Sequence, residues 1–533
     1  MSFELRCTKK DPVVSTKYGK LRGFFYDDVY NFWGVRYAVA KRFHQPEEQP
    51  SWDGIKDALA YGYVSPLLED PIPDNEITVP HRYWPMGEDC LNVNIFTPTI
   101  DPLAKKPVMV WLHGGGYSDG SAIAHIAFEG DNLARHQDVV LVAVNHRLNA
   151  FGFLDLSEFG EEYKNSVNAG MADIVAALKW VHENIASFGG DPDNVTIFGQ
   201  SGGGGKVNTL GQTPAADGLF HRAIVMSGVH DPDGKPKRKV WPSPEPKELA
   251  LEIMKQLGIE DGDVKKLEKV HFRLYIMAVN RAIRVFGRKG MVVGWGPKAN
   301  DWYAGDPLTV GFREHFKQIP TMVGSTLGEF YQTSTPENKL TMTEEEQKQV
   351  LYDKYGKEDG EKVIELFEAA YPGKNIAIAD SVDNSVRPAC VKYCKVKSRG
   401  EHAPVYSYLH ASVYDFNNGM PAWHNCDIPY AFGNGDRIPY CHATRNAEDL
   451  CVLIPKAFAN FAKYGNPNAE GLPEWPAATE DAVPTMIFDE KIEVKTGHDT
   501  ELIEFINTIA KPLMMSFFKP KTDDDEEGTV WGY

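Results

Sequence analysis

The chain has 533 residues, 42% of them hydrophobic, and its 74 acidic against 56 basic residues set a formal net charge of −18. That length and apolar content allow a large core, while the acidic balance argues against nucleic acid or an anionic membrane surface as a partner. No apolar run approaches the length of a bilayer span, and Glu4, Arg6, Lys9 and Lys10 stand where a secretory leader would need an apolar core. Seven scattered cysteines, an odd number, do not form a disulfide framework, so the expected setting is cytoplasmic, with free thiols.

In chain order, Val13-Val14-Ser15-Thr16 and Leu21-Arg22-Gly23-Phe24 flank Lys17-Tyr18-Gly19-Lys20, a hairpin signal that predicts an antiparallel start to the sheet. Glu88 to Asn94 leads into a strand, and Val108 to Leu112 forms a second, almost wholly apolar one, as expected of a central strand covered on both faces. It ends in His113-Gly114-Gly115-Gly116-Tyr117. Glycines at a strand's carboxyl end offer backbone N–H groups unobstructed by side chains, which is what an oxyanion hole requires. Val139 to Val144 is a further strand. Met171, Ile174, Val175, Leu178, Val181 and Ile185 then recur at helical spacing, predicting an amphipathic helix over 170–188 that Gly189-Gly190-Asp191-Pro192 stops.

Val195-Thr196-Ile197-Phe198 reads as a buried strand running into Gly199-Gln200-Ser201-Gly202-Gly203, and 202–210 can open a helix. A G-x-S-x-G sequence between strand and helix holds a serine on a tight turn at a helix N-terminus, where free N–H groups can stabilise an anion forming beside it. A phosphate-cradling loop ending in Lys206 fails on spacing, because position 200 is Gln200 and Lys206 is followed by Val207. Strand, helix, strand with right-handed crossovers is the α/β pattern of a mostly parallel sheet flanked by helices.

Further on, Lys235-Pro236-Lys237-Arg238-Lys239 reads as a solvated loop, Ile319 to Gly324 as a strand with Glu329 just past its carboxyl end, and Thr343 with Glu346 as a capping box. Pro404 to Leu409 is a strand, 419–430 the loop after it, Leu450 to Lys463 a helix, and Asp523 to Glu527 a solvated acidic tail. A serine nucleophile needs a histidine base and a carboxylate to orient it, in the order Ser, acid, His for such a fold. Glu329 lies where active-site loops belong. Of sixteen histidines, His402, His410, His424 and His442 all lie late enough to serve. Cys390, Cys394, His424, Cys426, Asp427, Cys441 and His442 lack the paired spacing of a four-ligand site, so neither metal nor cofactor is expected.

Several stretches together are similar to the type-B carboxylesterases, the family that includes the cholinesterases: EDCLNVN at 88–94, HGGGY at 113–117, NHRLNAFGFL at 145–154, NIASFGGDPDNVTIFGQSGGG at 184–204 and RAIVMSG at 222–228. The resemblance implies an α/β-hydrolase fold, one catalytic domain over 1–518 with a variable cap region at about 228–317 carrying Trp241, Trp295 and Trp302, and a tail at 519–533. It implies hydrolysis of small-molecule carboxylic esters through an acyl-enzyme, with Ser201, Glu329 and His424 catalytic, Gly115, Gly116 and Gly202 forming the oxyanion hole, and Ser227 supporting the triad from behind. It also implies a pairing of Glu88 with Arg42. Departures from the family pattern are Gln200 for the usual Glu, Gly202 for Ala, and Asn425 for the Gly after the histidine. The family's disulfide at Cys90 lacks its nearby partner, since only Cys7 precedes it. A lipase acting at interfaces and the family's non-catalytic adhesion proteins are the alternatives; the second expects a broken triad, a leader and a membrane span.

Overall fold

The computed structural model describes residues 4–69, 71–72, 76–78, 80–235, 240–330, 335, 337–510, 519–522 and 529–530. The acidic stretch 523–527 and most of the basic run, 236–239, lie outside the described residues.

A twelve-stranded sheet organises the chain. Its strands are β1 (Leu5–Arg6), β2 (Phe24–Tyr26), β3 (Val29–Arg36), β4 (Asn92–Thr97), β5 (Lys106–Leu112), β6 (Val140–Val144), β7 (Gly190–Gln200), β8 (Arg222–Met226), β9 (Thr321–Thr326), β10 (Val405–His410), β11 (Pro484–Phe488) and β12 (Glu493–Thr496). The spatial order is β1-β2-β3-β4-β6-β5-β7-β8-β9-β10-β11-β12. From β6 to β11 neighbouring strands run parallel, and the pairs outside that block are antiparallel.

The strand period of two sorts side chains into two cores. On β5, Met109 and Trp111 join one cluster while Val108, Val110 and Leu112 join the other; on β6, Leu141 and Ala143 separate from Val140, Val142 and Val144 in the same way. Residues 447–464 cover the first face with Leu450, Ile454, Phe458 and Phe461. The Ala169–Asn184 helix covers the second with Met171, Ile174, Leu178 and Val181, so continuous apolar strands are the consequence of burial on both sides. A third cluster forms where the 246–256 and 272–287 helices pack on Ala150, Phe151, Leu154 and Tyr163.

Two expectations need adjustment. The early hairpin forms, Val13–Ser15 against Lys20–Arg22, but it pairs with Ile55–Asp57 in a separate small sheet, and β1 to β4 supply the antiparallel start of the main one. Local turn chemistry specified the hairpin and carried no information about which sheet it joins. The expected helix ends as α-helix at Asn184 and finishes as a 3-10 turn to Phe188, with Gly189 in the left-handed region at φ 76°. The strand after it starts at Gly190, earlier than its apolar run, because a register shift against β5 loops out the residues between Gly190 and Val195. Glu346 and Thr343 form the capping box reciprocally.

Candidate active site

The parallel block sends the carboxyl ends of β5, β7, β9 and β10 to one edge of the sheet, where sites in open α/β sheets are built. Ser201 sits between β7 and the Gly202–Gly211 helix with φ 58° and ψ −124°, a strained conformation for a residue with a Cβ. Its N–H donates to Met226 O at 2.8 Å, so the neighbouring strand holds the turn. The side chain is half-buried.

Ser201 Oγ lies 2.7 Å from His424 Nε2, and His424 Nδ1 lies 2.5 Å from Glu329 Oε2. With the carboxylate as acceptor, Nδ1 carries the proton and Nε2 is left to accept from the serine. Glu329 and His424 are each 1% exposed. The other carboxylate oxygen of Glu329 accepts from Ser227 Oγ and from the Thr326 N–H, both at 2.8 Å, and Glu329 O accepts from the His424 N–H at 2.7 Å. The Phe330 ring lies on the imidazole, centroids 4.2 Å apart. Two further buried carboxyls, Asp383 and Asp427, are pushed up by burial, with the charge of Glu329 adding to the effect.

The other late histidines lie elsewhere. His410 is fully buried with Nε2 at 2.8 Å from Tyr414 Oη, and burial pushes its imidazole down to about 3. His442 is exposed, and His402 Nδ1 donates to Ala403 O. Cys390, Cys394, Cys426 and Cys441 are buried free thiols, and among the described residues no group of three or more His, Cys, Asp or Glu side chains is arranged to hold a metal ion.

Opposite Ser201 the 113–117 loop turns back on itself through Gly115 (φ 85°) and Gly116 (φ 63°), with the Ser118 and Asp119 N–H groups donating to Gly115 O. Among the described residues no acceptor takes the N–H of Gly115 or Gly116. Gly202 opens its helix, so its N–H has no partner within the helix either. Gly202 needs no unusual φ; it needs room. A Cβ there would stand 2.2 Å from Gly116 O and 2.4 Å from its Cα. The alanine usual in the resembled family does not fit this backbone.

The second departure, Gln200, is 2% exposed and its Nε2 donates to His424 O. An ionised glutamate would present only acceptors to that carbonyl. Arg42 and Glu88 form a charged pair, Nε to Oε2 2.8 Å. All seven cysteines, Cys90 and Cys7 included, are free. Sequence reasoning did not find Gln200 as a part of this assembly. Gln200 had a signal, its departure from the motif, whereas nothing local marks the carbonyl that it meets.

The Asn168 side chain bonds Lys298 O at 3.0 Å, and Gln212 Nε2 bonds Gly305 O and Gly311 O, so residues 298–311 run as a strap beside the helix that follows Ser201. Among the described residues no helix is long and apolar enough to cross a membrane.

This topology, with a serine on a strained turn between the seventh strand and its helix, defines an α/β hydrolase. Residues 10–506 match the model of the Carboxylesterase family. The para-nitrobenzyl esterase of Bacillus subtilis is 33% identical over 502 residues, covering 92% of this chain and 97% of that one. Among solved structures, an esterase from anaerobic Clostridium hathewayi that can hydrolyze aliphatic aromatic polyesters superposes with a TM-score of 0.90 at 42% identity, covering 96% of this chain and 100% of that one. A carboxylesterase of Geobacillus stearothermophilus superposes with a TM-score of 0.67 at 28% identity, covering 92% and 99%. The chain belongs to the carboxylesterase family. It is a serine hydrolase acting on carboxylic ester bonds, and small-molecule esters are its substrate class.

Proposed function

We propose that Ser201 is the nucleophile, His424 the general base and Glu329 the orienting acid of this esterase, with the N–H groups of Gly115, Gly116 and Gly202 as oxyanion hole and Ser227 fixing the carboxylate from behind. One observation carries the reading: a continuous hydrogen-bond chain from Ser201 Oγ through His424 to Glu329, closed at its buried end by Ser227 and Thr326. Ser201 Oγ attacks the ester carbonyl as His424 Nε2 takes its proton. The tetrahedral oxyanion receives the glycine N–H groups, and Nε2 returns the proton to the departing alcohol. Water repeats the sequence on the acyl-enzyme, releasing the acid.

Residues 228–317 are read as a cap beside the site within a single catalytic domain over 1–518, and 519–533 as a tail. The seven free cysteines support a reducing, cytoplasmic setting. The preferred esters are uncharged and soluble, with short to medium acyl chains. The net charge of −18 disfavours anionic surfaces, and half-buried Trp295 and Trp302 suit an apolar alcohol group.

Ser201→Ala is expected to abolish ester hydrolysis with the folded state kept, and a phosphonate ester to label Ser201 alone; labelling at another serine would refute the assignment. Across a chromogenic ester series, turnover of a partly soluble member should follow simple saturation through its solubility limit. A sharp rise on forming an interface would instead make the enzyme a lipase.

A further inference from the structure

Lys206 is wholly buried, with 0% of its surface exposed, on the helix that Ser201 caps, four residues beyond Gly202 and so about 6 Å further along the axis. Its Nζ donates to His113 O at 2.8 Å, the carbonyl that opens the 113–117 loop. The helix and this loop meet backbone to backbone, because Gly202 and Gly203 leave no room for a Cβ: at Gly203 it would stand 2.0 Å from Leu112 O. Such a contact brings the N–H groups of loop and helix together, with the Tyr117 ring, 5.7 Å from Lys206 Nζ, packed beside it. Among the described residues two side-chain bonds cross it, that of Lys206 and a longer one, 3.3 Å, between Tyr117 Oη and Thr209 Oγ1.

The remaining anchors of the loop reinforce the same point. His113 Nδ1 donates to Gly114 O at 2.8 Å, and its ring stacks on His146 with centroids 5.1 Å apart. The Asn149 N–H and Nδ2 hold Tyr117 O and Ser118 O at the far end. Lys206 is therefore the tether at the near end. Burial pulls the ammonium down to about 7, which Asp119 opposes. A fold that keeps a lysine in such a place bears a desolvation penalty that an apolar side chain of the same length would not.

We propose that Lys206 is a positioning residue of the esterase reaction: by clamping the His113 carbonyl to the helix behind Ser201 it sets the distance between the Gly115 and Gly116 N–H groups and that of Gly202. The proposal rests on the reading of those three glycines as oxyanion donors. It assigns Lys206 no contact with substrate. Its effect appears only when the carbonyl oxygen has moved to its tetrahedral position, so ground-state binding is unaffected.

The test compares Lys206→Met with the wild type on p-nitrophenyl butyrate, with active sites titrated by a phosphonate. Turnover per site is expected to fall by about 10- to 100-fold, less than or similar to the loss of one oxyanion donor, with KM within about threefold and the melting temperature held or raised. Affinity for a trifluoromethyl ketone, which forms a tetrahedral adduct on Ser201, should fall with turnover. Unchanged turnover per site, or a change confined to KM or to melting temperature, overturns the proposal. If Lys206→Met does not fold, Lys206→Gln, neutral and polar, is judged by the same outcomes. The trifluoromethyl ketone separates the two readings: if the wild type binds it no more tightly than the matching methyl ketone, the oxyanion assignment itself fails, whereas tight wild-type binding beside a fully active Lys206→Met removes only the role of Lys206.

Discussion

Among the charged assemblies buried in the carboxyl-terminal half of the chain, two of those in the described residues are finished differently. Arg387 and Asp499, each 3% exposed at the side chain, close on one another, Nε to Oδ2 2.8 Å, and Tyr371 Oη adds a longer contact to the same carboxylate. Glu329 and His424 are as deeply buried, but their chain of hydrogen bonds runs outward and stops at Ser201 Oγ, on a half-buried side chain. The first assembly turns most of its electrostatics on itself, with Arg387 Nη1 left without an acceptor among the described residues. The second leads out to Ser201 Oγ, the proposed nucleophile, where a low-dielectric setting makes its electrostatics worth more than they would be in water. Burial of charge is thus common to both, and a chain that leads out to a half-buried serine hydroxyl is what separates the proposed site from a strut.

Glu329→Gln would break the comparison on the catalytic side most strongly. Shape is kept, but the carboxamide cannot hold the Nδ1–H tautomer or stabilise the imidazolium, so kcat should fall by about four orders of magnitude, as in a serine protease triad, with melting temperature little changed. His424→Ala should be comparably severe and His410→Ala mild in turnover per titrated site; the reverse order would move the base to His410.

Arg387→Met makes the opposite change. It leaves Asp499 buried without its cation, and a broken buried pair costs about 3–5 kcal/mol of stability, read by denaturant unfolding, while turnover per titrated site is kept. The pair also carries a pH signature. Burial pushes Asp499 up, but the charge and hydrogen bond of Arg387, with His498 adding to them, outweigh it and hold the carboxyl at about 2. Its folded pKa is therefore below the unfolded value of about 3.9, so the stabilisation is present above about pH 4 and is lost as pH falls through about 2. The acid limb of melting temperature against pH should be shallower over that window in Arg387→Met. An unaltered limb would show that other carboxylates govern acid unfolding.

The smallest effect belongs to a purely local feature. Thr343→Ala removes one arm of the capping box on the 344–355 helix and should lower stability by about 1 kcal/mol, with no change in kinetics. A larger loss would mean that this helix end supports more than itself.

The apolar runs of β5 and β7, the Gly199–Gly203 turn, a helix over 170–188 whose last turn proved 3-10, and the Thr343 capping box were legible in the sequence, because strand patterning, helical period, turn strain and capping are constraints acting within a few residues. The glycine loop after β5 was legible for the same reason, and the family motifs extended the reading to Glu329 and His424. Read from spacing alone, His402, His410, His424 and His442 stayed equivalent, since 223 residues separate Ser201 from the imidazole that meets it. Only the parallel order of β5, β7, β9 and β10 brings their carboxyl ends to one edge, and only the approach of Gly116 to Gly202 requires glycine there. The partners of Gln200 and Lys206 are backbone carbonyls, which every residue possesses, so no sequence pattern distinguishes them; the tertiary structure decides which carbonyl lies within reach.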